Sequence, residues 1–170
     1  MKESQYLEGQ DSVVKKIKNL PIFKPYDEEK LKDLLRLSKI RQYEPEEIII
    51  EEGTDEIWMY FMLSGCVQVE KGGKYVDRLK RCGDIFGEMG FLGQGPRSAT
   101  VKALEETVCL AVDVSYLLKM KEEGYDSFHA AIYKMFSEIL AHRLRETTDK
   151  YLKVKQELDR LKGTGKYIVR

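Results

Sequence analysis

The sequence predicts an α+β fold in which an antiparallel β jelly-roll barrel is flanked by N-terminal helices and a long C-terminal coiled-coil helix. Short apolar runs separated by glycines fill the middle of the chain, and many short strands with glycine turns are typical of a jelly-roll barrel or a sandwich. Apolar residues recur at helical spacing on both sides of this region. We therefore expect an N-terminal helical segment at residues 1–39, the jelly roll at 40–112, C-terminal helices at 113–162 and a tail at 163–170.

Two short helices are expected in the N-terminal segment. Asp27 can act as the N-cap of the second helix, which would bury a stripe of three leucines. The first helix is indicated by four apolar residues at helical spacing, and two prolines separate the two helices. The residues concerned are Val13, Val14, Ile17 and Leu20, then Pro21 and Pro25, then Leu31, Leu34 and Leu35.

Six strands are expected in the jelly roll. Each is a run of three to five residues rich in apolar or β-branched side chains, and glycines such as Gly53, Gly65 and Gly83 break the pattern between several of them. The predicted strands are Ile48–Ile50, Met59–Leu63, Cys66–Glu70, Tyr75–Leu79, Ala99–Ala103 and Val108–Val112.

The C-terminal region predicts a short helix capped by Asp113 and then a long helix over Ser127–Lys162. Spacings of four and three residues alternate along the second half of the long helix, which is the heptad pattern of a two-helix coiled coil. We therefore expect a homodimer through the helix from Leu140 to Leu161. The alternative is a helix that lies back on its own barrel. The seam residues are Leu140, Leu144, Thr147, Tyr151, Val154, Leu158 and Leu161.

Charges beside the seam leave the orientation of the two helices open. In a parallel pair Glu157 would face Lys162 of the other helix, which is favourable, but Lys150 would face Lys155, which is not.

Composition argues against several classes of partner. Lys and Arg total 29, as do Asp and Glu, so the chain lacks the basic excess typical of nucleic-acid binding, and we expect no nucleic-acid partner for this chain alone. We find no apolar run long enough for a membrane span and no apolar signal core at the N-terminus. Cys66, Cys82 and Cys109 match no disulfide or zinc spacing and are expected to be reduced and buried, which favours a cytoplasmic protein.

One segment carries the residues for an anion site. Gly87 would let backbone amides approach a ligand closely, and Arg97 could fork onto two phosphate oxygens. Ser98 and Ala99 are small enough for their amides to face the same anion, while Glu88 could accept a hydrogen bond from a sugar hydroxyl. An anion cradle, a cation and a carboxylate together suit a phosphate fused to a ribose.

The order of these residues resembles the phosphate-binding cassette of the cyclic-nucleotide-binding domain family, the type found in the bacterial catabolite activator protein and in regulatory subunits of cAMP-dependent protein kinase. The matching residues are Phe86-Gly87-Glu88-Met89 and, after a short loop, Arg97-Ser98-Ala99. The glycine-framed segment from Gly53 to Gly65 is similar to another barrel signature of the family. The resemblance extends over about Pro21 to Lys162.

The resemblance implies a receptor without catalytic residues, metal or cofactor. It assigns Glu88 to the ribose 2′-hydroxyl and Arg97 to the cyclic phosphate. The amides near Gly87 and Ser98 would complete the phosphate cage. The expected ligand-binding residues in this cassette are Phe86, Gly87, Glu88, Met89, Arg97, Ser98 and Ala99. Two departures from the family pattern, Glu56 and Phe91, would affect the shape of the pocket more than the class of ligand.

The resemblance favours cAMP, with cGMP as the alternative. Ser98 stands where cGMP-binding members often carry threonine. The stretch Arg143 to Lys150 is similar to a segment of the catabolite activator protein whose paired hydroxyls meet the adenine amino group, which implies that Thr147 and Thr148 contact the base. Thr147 also lies in the heptad seam, where an apolar residue would pack better.

Three other interpretations remain open at this point. The chain could be a dimerisation module with a non-binding pocket. It could also be the sensor half of a transcription factor whose output domain was cut away, because no segment the size of a DNA-binding domain follows Gly165. A metal-dependent enzyme on the same fold would need clustered histidines on barrel strands, whereas His129 and His142 both lie in the C-terminal helical region.

Overall fold

A computed structural model describes residues 1–7, 15, 17–19, 23–24, 27–89, 95–115 and 126–165. The chain forms two compact units, Met1–His129 and Ala130–Arg170. The first contains both β-sheets and the second is helical. The predictions that concern Val13, Val14, Leu20, Pro21, Pro25 and Phe91 lie outside the described residues.

The first unit is built from two antiparallel sheets. The five-stranded sheet has the order β1-β2-β9-β4-β7 and the four-stranded sheet has the order β3-β8-β5-β6. The predicted antiparallel architecture is confirmed, but the described strands form two sheets and not a closed barrel. The strands are β1 (Lys2–Glu3), β2 (Ser38–Tyr43), β3 (Ile48–Ile50), β4 (Trp58–Ser64), β5 (Val67–Lys71), β6 (Lys74–Leu79), β7 (Ile85–Phe86), β8 (Thr100–Ala103) and β9 (Thr107–Asp113).

All six predicted strands are present, with ends that differ by at most one residue. Three further strands, β1, β2 and β7, were not predicted. The N-terminal segment is therefore not helical throughout, because β1 pairs with β2 at Lys2↔Gln42 and Glu3↔Arg41. Strand β2 in turn pairs with β9 over six residues. Neighbouring strands stabilise these three segments although their own sequences have no clear strand pattern.

The main core cluster contains residues from both sheets. Tyr60 and Met62 of β4 and Cys109 and Ala111 of β9 belong to it, together with Val67 of β5. The intervening residues of β4 and β9 are also buried, so these two strands are covered on both faces. Burial on both faces explains why they read as nearly continuous apolar runs and not as an alternating pattern.

Helix α1 spans Glu28–Arg36 and begins directly after Asp27, the predicted N-cap position. The amide of Leu31 donates to the Asp27 carbonyl at 3.3 Å, which closes the first turn of the helix. Leu31, Leu34 and Leu35 are buried, as the helical spacing predicts.

Helix α2 spans Asp126–Gly165 and makes up most of the second unit. It confirms the predicted long helix, with one more residue at its N-terminal end and three more at its C-terminal end. Near the end of the first unit, Asp113 accepts hydrogen bonds from the amide (2.9 Å) and hydroxyl (2.6 Å) of Ser115. Residues 114–115 are helical, so Asp113 occupies the predicted cap position, while residues 116–125 lie outside the described part.

The cysteine prediction needs one correction. Cys66 and Cys109 are buried, but Cys82 is exposed because it lies in the turn between β6 and β7. Burial raises the pKa of the Cys109 thiol to about 12, so this thiol stays protonated at neutral pH. Among the helices that the structure describes, none combines the length and apolar character needed to span a bilayer.

Candidate ligand-binding site

The backbone of Arg97 is held by the turn that follows β3. Its amide donates to the Thr54 carbonyl at 2.8 Å, and its carbonyl accepts from the Gly53 amide at 2.9 Å. The turn itself is closed by Thr54, whose hydroxyl donates to the Glu51 carbonyl at 2.8 Å. Arg97 is therefore fixed at the main chain on both sides of its Cα atom.

The side chain of Arg97 is buried, with an exposed fraction of 4%. Its Nη1 donates to the Gly87 carbonyl at 2.7 Å, and its Nη2 donates to the Trp58 carbonyl. Its Nε is also buried and has no hydrogen-bond partner among the residues that the structure describes. A buried guanidinium N–H without an acceptor is costly, so this orphaned donor fits a site that receives an anionic acceptor.

Burial and charge act in opposite directions on Arg97. Burial lowers the pKa of its guanidinium, and the Tyr60 hydroxyl and the carboxylates of Glu56 and Glu88 counteract this effect. Arginine stays protonated even with a lowered pKa. The site therefore presents a permanent cation with two acidic side chains in its electrostatic range.

Gly87 is the residue at which the backbone of the candidate site turns. Its φ is +83°, in the left-handed region that favours glycine. A Cβ atom at this position would lie 3.0 Å from the Trp58 carbonyl oxygen, 3.1 Å from Ile50 Cδ1 and 3.2 Å from Arg97 Nη1. Only glycine lets the chain pass this close to the Arg97 guanidinium.

The cassette residues that follow Gly87 contact those that follow Arg97. Glu88 is buried, with an exposed fraction of 3%, and Met89 beside it is exposed. The hydroxyl of Ser98 lies 3.6 Å from the sulfur of Met89 and donates to it, which connects the two halves of the cassette. Ala99 is half-buried and leads into β8.

Phe86 is a buried residue of the first unit, whereas Thr147 and Thr148 belong to the second unit. The Phe86 side chain belongs to the core, where its ring stacks on Tyr60 with centroids 5.1 Å apart. Its backbone is therefore the part that adjoins Gly87. Thr147 and Thr148 are exposed positions of α2, within the second compact unit.

Three residues of the site were not predicted from the sequence. Trp58, Gly53 and Thr54 contact Arg97 through main-chain atoms. A pattern of side-chain types carries no information on which carbonyl will accept a hydrogen bond. The only sign of a tight turn there in the sequence was the glycine at position 53. Its φ of +85° in the structure is consistent with such a turn.

Comparison with known proteins identifies the family. Residues 40–123 match the model of the cyclic nucleotide-binding domain. The chain is 38% identical over 73 residues to a cGMP-dependent protein kinase of Toxoplasma gondii, covering 43% of this chain and 7% of the relative. It is 30% identical over 101 residues to the cAMP-dependent protein kinase type II regulatory subunit of Drosophila melanogaster, covering 59% and 26%.

A solved structure supports the same conclusion. The catabolite activator protein of Thermus thermophilus superimposes with a TM-score of 0.62 and 28% identity, over 80% of this chain and 63% of that one. The chain spans only a small part of the length of the two kinase-related proteins. Residues 40–123 form a domain of the cyclic nucleotide-binding family, as the cassette residues indicated.

Proposed function

We propose that this chain is a cyclic-mononucleotide receptor domain without catalytic activity, with cAMP as its ligand and cGMP as the alternative. The observation that carries the proposal is the buried Arg97, whose Nε has no acceptor among the described residues and which lies within electrostatic range of the Glu88 carboxylate. Both residues lie within the part of the chain that matches the family.

In the proposed complex, the cyclic phosphate accepts hydrogen bonds from the Arg97 guanidinium and from amides near Gly87 and Ser98. A charged acceptor would satisfy the orphaned Nε, and a hydrogen bond between two ions is stronger than one between neutral groups. The Glu88 carboxylate accepts from the ribose 2′-hydroxyl. The Gly87 and Trp58 carbonyls already fix two of the Arg97 nitrogens, so little side-chain freedom is lost on binding.

Base recognition and dimerisation belong to the same proposal but rest on the sequence. Thr147 and Thr148 are proposed to contact the base, and a Thr147→Val, Thr148→Ala double variant should then lose preference for cAMP over cGMP. The seam of α2 is proposed to form a coiled-coil homodimer. Its support is that Leu144, Tyr151 and Val154 are exposed in the single chain. A cytoplasmic location is part of the proposal.

A thermal-shift experiment tests the receptor function. A ligand present at 100 times its Kd stabilises the folded state by about 2.7 kcal/mol, provided that it binds only that state. For a chain of this size such a gain raises the Tm by about 5–11 °C. We expect this shift with cAMP, a smaller shift with cGMP at the same concentration, and none with 5′-AMP, which lacks the cyclic phosphate. Equal melting curves with and without saturating cAMP and cGMP would reject the proposal.

A further inference from the structure

A second arginine, Arg41 on β2, contacts Trp58, whose carbonyl holds Arg97, and makes three contacts in all. Its Nε donates to Glu3 Oε2 at 2.6 Å and its Nη1 donates to the Tyr60 hydroxyl at 2.8 Å. Its guanidinium also stacks over the Trp58 ring, 4.0 Å from the centroid. The side chain has an exposed fraction of only 11%, so the three contacts hold it in one orientation.

The contact with Trp58 connects Arg41 to one of the two carbonyls that hold Arg97. The Trp58 ring lies under Arg41, and the Trp58 carbonyl accepts a hydrogen bond from Arg97 Nη2. A guanidinium stacked on an indole is attracted to the ring face, which favours the observed orientation of the Trp58 side chain. Through this stacking, Arg41 acts on the Trp58 carbonyl, which is the first acceptor of Arg97.

The contact with Tyr60 connects Arg41 to the second carbonyl. The Tyr60 ring stacks on Phe86 with an interplanar angle of 11°, and the two residues are also paired between β4 and β7. Phe86 directly precedes Gly87, whose carbonyl accepts from Arg97 Nη1 at 2.7 Å. The hydrogen bond from Arg41 to the Tyr60 hydroxyl therefore acts on the Gly87 carbonyl through the stacked rings of Tyr60 and Phe86.

We propose that Arg41 is a positioning residue for the phosphate site: it orients Trp58 and Tyr60, and these hold the two carbonyls that aim the Arg97 guanidinium. Glu3 of the N-terminal strand β1 completes the arrangement by fixing Arg41 from the other side. An arginine is required because its planar fork can stack on one ring while donating in two directions, which the single ammonium of lysine cannot do. The effect on ligand affinity rests on the proposed function.

Lys39 provides a matched control. Its Nζ donates to Glu3 Oε1 at 2.7 Å, so it shares the carboxylate with Arg41. Its ammonium lies 5.8 Å from the Trp58 ring centroid, farther than the Arg41 guanidinium. Lys39→Gln and Arg41→Gln each remove one positive charge and one partner of Glu3, but only Arg41→Gln removes the close stacking on Trp58 and the hydrogen bond to Tyr60.

The first measurement needs no ligand. The Nε–H resonance of Arg97 in a ¹⁵N NMR spectrum, assigned by its loss in Arg97→Lys, reports the orientation of that guanidinium. We expect Arg41→Gln to shift or broaden this resonance and Lys39→Gln to leave it at the wild-type position. Equal effects of the two variants, or no effect of either, would overturn the positioning role.

The second measurement is the Kd for cAMP of the same variants. Residues that act on a site without touching its ligand change affinity by about 3- to 30-fold, so we expect that increase in Kd for Arg41→Gln and less than about a twofold change for Lys39→Gln. Arg41→Lys keeps the charge and serves if Arg41→Gln does not fold. It should show the same defects, and wild-type behaviour of Arg41→Lys would refute the proposal. If wild type binds neither cAMP nor cGMP, the receptor function fails, while the resonance comparison still decides the role of Arg41.

Discussion

Arg97 is buried because main-chain carbonyls, supplied by Gly87 and Trp58, accept from its two terminal nitrogens. Among the described residues, no carboxylate that could compete with a phosphate forms a hydrogen bond to this cation. The charges of Arg97 and Glu88 could be predicted from the sequence, because they depend on side-chain type. The carbonyls that hold Arg97 could not, since they depend on how β4 and the segment after β7 pack.

The ribose contact of Glu88 is tested by substitution with a neutral isostere. Glu88→Gln should raise the Kd for cAMP about tenfold or more, because a charge-assisted hydrogen bond to the 2′-hydroxyl is lost. For 2′-deoxy-cAMP, which lacks that hydroxyl, the wild type and the variant should bind with similar Kd values. Titrations of both ligands into both proteins form the complete comparison. A loss of the same size for the two ligands would show that Glu88 acts elsewhere.

At the scale of elements, Gly65 sets the connection between β4 and β5. Its φ is +101°, and a Cβ atom there would lie 2.6 Å from Thr107 Cα and 2.7 Å from the Glu106 carbonyl oxygen. These are backbone atoms of the loop and strand next to it, which cannot move aside cheaply. Gly83 has a similar φ of +93°, but its added Cβ would meet no atom of the described residues within 4 Å.

Gly65→Ala and Gly83→Ala therefore separate steric overlap from backbone strain. Gly83→Ala should lower the free energy of unfolding by about 1–2 kcal/mol, the cost of a left-handed conformation for a residue with a Cβ. Gly65→Ala should lower it by about 3 kcal/mol or more, because overlap is added to strain. Urea denaturation of the two variants measures the difference. Equal losses would mean that the β4–β5 turn can relax away from Thr107.

The elements differ in how well the sequence predicts them. Strands β4 and β9 could be predicted because burial on both faces leaves long apolar runs. Strand β1 could not, because Lys2 and Glu3 are exposed and are held in the sheet by pairing with β2. Strand β2 was partly assigned to the N-terminal helical segment for the same reason, since its pairing with β9 outweighs its weak pattern.

At the scale of the whole molecule, the exposed seam of α2 is the feature that bears on assembly. Leu158 lies in the heptad seam and Leu152 lies outside it, and both have an exposed fraction of 47% in the single chain. Exposed leucines cost little when replaced in a monomer. The two positions therefore differ mainly in their predicted place in a dimer.

Leu158→Lys should dissociate the predicted dimer, because it places two like charges in the apolar seam. Leu152→Lys adds the same charge outside the seam and should leave the assembly unchanged. Sedimentation velocity at the same protein concentration distinguishes the outcomes, with half the wild-type mass expected for Leu158→Lys alone. If Leu158→Lys sediments as wild type does, the seam does not form the dimer.

The most direct test of the account is a calorimetric titration of cAMP into wild type and Arg97→Lys side by side. We predict saturable binding with one site per chain in wild type. In Arg97→Lys, which keeps the charge but loses the planar fork, the Kd should rise at least about tenfold. A thermal melt of the variant should still show a cooperative transition, so that the loss can be assigned to the site. The account is contradicted if neither cAMP nor cGMP produces binding heat in wild type, or if Arg97→Lys binds with the wild-type Kd.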